Sequence, residues 1–76
     1  MKLTTLKPNQ KALAKSCENS KLPLKLMEMG CVDGVEIRFI KRAPFGSPYY
    51  YLIGDTRIAL GKEIAEMIEV RLIENE

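Results

Sequence analysis

The groups that could do chemistry in this chain are few and scattered. Its 76 residues include no histidine, which removes the commonest acid or base near neutral pH. The two cysteines, Cys17 and Cys31, lack CxxC spacing, so they read as small buried hydrophobes in a reducing cytosol rather than as a disulfide or a zinc pair. A transition-metal site would have to be made from those sulfurs and from carboxylates. Glu63 and Glu66 share a face at i, i+3, the pattern of a solvated helical turn. No GxxxxGK[ST] loop is present to cradle phosphates. The expectation is a protein that is not an enzyme and carries no cofactor.

Charge points away from nucleic acid as well. Twelve basic and 10 acidic side chains leave a net charge of +2, far from the concentrated field of a nucleic-acid binder. Lys2, Lys7, Lys11, Lys15, Lys21 and Lys25 load the first third, but they are spaced rather than clustered. A small barrel with Lys and Arg on phosphates and Tyr49 to Tyr51 stacking on bases is therefore the weaker alternative. No apolar h-region opens the chain, and no apolar run approaches the ~20 residues needed to cross a bilayer. One small cytoplasmic domain spanning residues 1–76 is expected, touching a membrane only through another protein. The 46% hydrophobic share is enough for a core without staples.

The elements that must position any site centre on residues 23–48, PLKLMEMGCVDGVEIRFIKRAPFGSP. Pro23 suits a first helical turn and Gly30 the left-handed residue that ends it, with Ser20 or Leu22 just outside. Leu22, Leu26 and Met29 share one face, and Leu24 and Met27 lie on another beside a narrow strip of Lys25 and Glu28. The apolar arc spans about 200°, against the ~100° a helix needs to sit on a core. Leu24 and Met27 either pack under the N-terminal segment or a loop, or form a partner-binding face. Asp33-Gly34 is a turn pair, and Val35, Ile37 and Phe39 alternate with Glu36, Arg38 and Ile40 as a strand ended by Lys41 and Arg42. Residues 43–48 form a Pro/Gly loop.

Before this stretch, Pro8-Asn9 closes a turn and Lys11 to Cys17 forms a first strand, followed by a polar Glu18-Asn19-Ser20 connection. After it, residues 49–53 are β-favouring, with Tyr49, Tyr51 and Ile53 on one face and Tyr50 and Leu52 on the other. At least two of the three tyrosines are expected half-buried with hydroxyls in water. Gly54-Asp55 turns the chain into a strand over residues 56–60, Lys62 to Glu66 is one helical turn, and the last strand places Ile68, Val70 and Leu72 inward. The expected fold is mostly β: a small five-stranded barrel, closed or nearly so, with one inserted α-helix and a short helical turn.

Taken in order, Leu3-x-x-Leu6-Lys7-Pro8, Lys25-Leu26 through Met29-Gly30, Asp33-Gly34-Val35-Glu36-Ile37, Arg42-Ala43-Pro44, Phe45-Gly46-Ser47-Pro48, Gly54, Ile58-Ala59-Leu60, Ala65 and Ile68-Glu69-Val70 resemble the FeoA family over nearly the whole chain. That family is the small cytosolic partner of the bacterial ferrous-iron transporter FeoB. Departures from it are Asn9 for a turn glycine, Asp33 for a proline, Lys25 for an arginine and Gly61 for an arginine. The resemblance implies an SH3-like barrel that docks, without catalysis, on the cytoplasmic GTPase part of the membrane transporter, at the inner membrane. Domains of this shape also occur in metal-dependent repressors and can lend oxygen ligands there, which keeps open a metal-sensing alternative, a direct ferrous ion site included. Two surfaces compete for the partner: the helix side with Leu24, Lys25 and Met27, and the loop with Arg42, Pro44 and Phe45 backed by Tyr49 and Tyr51. Assembly into a homo-oligomer is left open.

Overall fold

The computed structural model describes residues 1–16 and 23–73. Cys17, the Glu18-Asn19-Ser20 connection and the expected helix-flanking Leu22 lie outside the described residues. Five antiparallel strands form: β1 (Lys11–Ser16), β2 (Glu36–Arg42), β3 (Tyr49–Ile53), β4 (Thr56–Leu60) and β5 (Glu69–Leu72). Two five-residue helices, α1 (Leu24–Glu28) and α2 (Lys62–Glu66), and a 3₁₀ turn at Leu3–Thr5 fill the connections. This is the mostly β, helix-inserted architecture that alternation and turn residues imply.

The sheet runs in the order β4-β3-β2-β1-β5. Its two edges are treated differently. The outer edge of β5 is taken by the N-terminal residues: Val70 N–H donates to the Met1 carbonyl at 2.8 Å, and Leu3 N–H to the Ile68 carbonyl at 2.9 Å. The N-terminal ammonium donates to the Val70 carbonyl at 3.0 Å and lies 3.5 Å from a Glu69 carboxylate oxygen. Among the described residues no strand pairs with the outer edge of β4.

Period two decides which side chains enter the core. Ile37 and Phe39 of β2, Tyr49, Tyr51 and Ile53 of β3, and Ile58 and Leu60 of β4 point inward, where Leu3, Ala12, Ala65, Ile68 and Val70 meet them. Leu72 departs from the expected alternation and is 42% exposed. It sits opposite Ala12 at the end of β5, at the sheet's rim. The tyrosine expectation is also corrected. Tyr49 and Tyr51 are buried in the core and only Tyr50 is half-buried, because the inward face of β3 is the one carrying the odd-numbered residues.

Candidate functional site

α1 is anchored by one side chain. Leu26 is buried and Met29 packs against the core, while Gly30, with φ of 104°, takes the left-handed position that ends the helix. Leu24 is left 67% exposed, Lys25 is exposed, and Met27 is half-buried. The wide apolar arc therefore keeps Leu24 outside the core and Met27 only partly covered. Between α1 and β4 runs a groove of about 400 Å³ with Leu26, Met29, Ile58 and Leu60 in its walls and Lys25 and Arg57 among its charged residues.

The second surface is built by a turn and a bulge. Pro8-Asn9 does form a turn, and Asn9 holds φ of 71°, a left-handed conformation that asparagine tolerates better than most residues. Gln10 locks it from both sides: its side-chain oxygen accepts from Lys7 N–H at 2.8 Å, and its own N–H donates to the Lys7 carbonyl at 3.0 Å. The turn is tied to β2, since Asn9 N–H donates to the Phe39 carbonyl at 3.0 Å and Phe39 N–H to the Gln10 carbonyl at 3.3 Å. Lys7 is thereby held beside the end of β2.

On β2 the pairing runs Phe39 with Tyr51, then Lys41 with Tyr50 and Arg42 with Tyr49. Ile40 is the extra residue of a bulge, and bulges re-aim the side chains that follow. In an uninterrupted register Lys41 would stand across from Tyr49; the bulge puts Arg42 there instead. The Arg42 guanidinium carbon lies 5.8 Å from the centre of the Tyr49 ring, and Lys41 Nζ 5.7 Å from that of Tyr50, both within cation–π range. Phe39, Tyr49 and Tyr51 form one aromatic cluster, with ring centres 5.3 to 6.4 Å apart. The loop beyond folds back through Ala43 N–H to the Pro48 carbonyl at 3.0 Å, and Phe45 at its tip is 99% exposed.

The site residues expected from sequence divide accordingly. Leu24, Lys25, Arg42, Pro44 and Phe45 are exposed and Met27 is half-buried, whereas Tyr49 and Tyr51 are buried in the core, with Tyr49 next to the loop end and across from Arg42. Lys7 and Lys41 were not among the expected residues, yet both line one cleft with Arg42. The Pro8-Asn9 turn is legible in sequence, but its seat on β2 is a long-range contact that no local pattern announces.

Burial, and then the nearby Tyr49, push the Tyr51 hydroxyl well above the ordinary tyrosine pKa. A hydroxyl whose folded pKa is raised keeps its proton in the folded state while the unfolded chain loses it. The stability this group contributes is thus fully present below about pH 10 and falls by about 1.4 kcal/mol per pH unit above it, until its folded pKa is reached. Tyr51→Phe should flatten that decline in urea-unfolding measurements between about pH 9.5 and 11, around the ordinary tyrosine pKa. An unchanged alkaline slope in the variant would assign the decline to other groups.

Among the described residues no group of three or more Cys, Asp and Glu side chains is close enough to hold a metal ion, and the chain has no histidine. No helix of the described residues is long and apolar enough to cross a membrane.

Comparison with known proteins gives a consistent picture. The family model described as FeoA domain matches residues 1–72. The chain is 43% identical over 49 residues to the Fe(2+) transport protein A/Fe(2+) transporter FeoB fusion protein of Porphyromonas gingivalis, a match covering 64% of this chain and 6% of that relative. Among solved structures, iron(II) transport protein A from Clostridium thermocellum superposes with a TM-score of 0.86 at 42% identity, covering 96% of this chain and 46% of that one. FeoA of Stenotrophomonas maltophilia complexed with zinc, an SH3 domain protein, gives 0.75 at 31% identity, covering 92% and 88%. The SH3-like character of the barrel is thus borne out.

Proposed function

Because the chain belongs to the FeoA domain family, we propose that residues 1–76 act as one accessory domain of ferrous iron uptake, docking without catalysis on the cytosolic GTPase part of a FeoB-type transporter. The observation that carries this reading is the fused relative, in which a segment like this one is covalently joined to the transporter. Fusion turns an encounter between two proteins into an intramolecular one, and so favours pairs that work in contact. The chain spans about 6% of that relative, so it corresponds to the accessory segment and not to the transporter. In this reading the chain is cytoplasmic and reaches the membrane through its partner.

The geometry supports an interaction role. Leu24 and Phe45 are large apolar side chains held in water, 67% and 99% exposed, on a helix and a loop fixed to the same sheet. Aromatic side chains such as Phe45 are enriched at interfaces.

The test is capture of the transporter's purified cytosolic GTPase module on the immobilised chain. Leu24→Asp or Met27→Asp should abolish capture while circular dichroism stays unchanged, since neither residue belongs to the buried core. Capture persisting in both variants would move the contact to the loop of residues 43–48. No capture by the unaltered chain would remove the docking reading altogether.

A further inference from the structure

We propose that the cleft between the Lys7–Gln10 turn and the bulged end of β2 is a receptor for an acidic segment of a partner protein. In it a carboxylate sits between Lys7 and Arg42, and the apolar residue beside that carboxylate lies on Phe39 and Tyr49, while the Lys41 ammonium stands over Tyr50 on the far face of β3. The cleft measures about 320 Å³, at the small end of ligand sites and suited to one or two side chains. All three charged residues in its wall are cations. The remaining wall is largely apolar, with Leu6 and Pro8 joining the two rings.

That combination selects the occupant. Lys7 and Arg42, with no carboxylate in the wall, attract an anion, and a guanidinium is suited to bind a carboxylate through two parallel hydrogen bonds. Arg42 is held in position against the Tyr49 ring, so less of its freedom is lost on binding. A free phosphate would use the cations and leave the aromatic floor empty. A nucleic acid would need a wider positive field than a net charge of +2 provides. An acidic peptide with an adjacent apolar side chain uses both parts of the wall. The bulge at Ile40 is what places Arg42, rather than Lys41, across from Tyr49.

Assigning that segment to the transporter rests on the function proposed above, and two titrations separate the claims. In the first, the isotope-labelled full chain is titrated with a blocked pentapeptide of four glutamates around one phenylalanine, followed by NMR. Saturable amide shifts at Lys7, Lys41 and Arg42 are expected, weakening with added salt and absent with the glutamine version of the peptide. Equal shifts from the glutamine peptide, no shifts at these residues, or the same shifts from inorganic phosphate alone would each overturn the receptor. In the second, the transporter's GTPase module is titrated against the unaltered chain and against Lys7→Glu/Arg42→Glu, both sites being exposed. At least a tenfold weakening, with a shallower salt dependence, is expected of the variant. A module that ignores the unaltered chain while the peptide still binds would sink the transporter and leave the receptor standing. A module that binds both forms equally, with the peptide silent, would do the reverse.

Discussion

Tyr51→Ala should cost about 3–5 kcal/mol, the range for losing a large aromatic from a packed interior. A chain of 76 residues has only about 4–11 kcal/mol of stability in total. Tyr51 is among the largest fully buried side chains, 1% exposed, and its ring stands 5.3 Å from Phe39 and 6.4 Å from Tyr49. Removing it opens a void that both remaining rings border, at the middle of the best-paired strand. The urea midpoint should fall steeply at an unchanged m-value, or the folded baseline should vanish. A loss below about 1 kcal/mol would mean that the rings repack to fill the void. Tyr51→Phe keeps the ring volume and should fold, so the two variants separate packing from the hydroxyl.

Leu3→Ala is the second. Leu3 is wholly buried, and its N–H reaches the Ile68 carbonyl. The expected cost is about 2–5 kcal/mol, and the loss should be local before it is global. Because Leu3 pins the N-terminal residues to β5, hydrogen exchange should accelerate first at the Leu3 and Val70 amides. Those of β3, paired on both sides, should respond only as far as overall stability falls. Uniform acceleration along all five strands would show that the N-terminal segment is not a separate clasp.

The strands were legible because alternation and turn chemistry agree along most of the chain. Val35 to Phe39 show their faces directly, Gly54-Asp55 supplies a two-residue turn, and Pro8-Asn9 and Gly30 mark stops that the backbone obeys. The helix was legible too, down to the face that Leu26 and Met29 bury. What sequence hid was register. The bulge at Ile40 adds one residue without altering composition, and it alone decides whether a lysine or an arginine meets Tyr49. The tyrosines misled for a related reason: three in a row fit either face, and only their pairing with β2 and β4 shows that the outer two are core. Lys7 belongs beside Arg42 because Asn9 and Gln10, just ahead of β1, hydrogen-bond to Phe39, a long-range contact that no local window contains.

The unequal margins of the sheet also govern how this molecule ages in a concentrated sample. Its N-terminal residues already fill one margin, so growth there is blocked. Among the described residues no strand pairs with the other, the edge of Thr56–Leu60, which offers a template onto which a second copy can stack. Arg57 is the sole formal charge along it, a gatekeeper whose neutralisation would turn a well-behaved solution toward fibres.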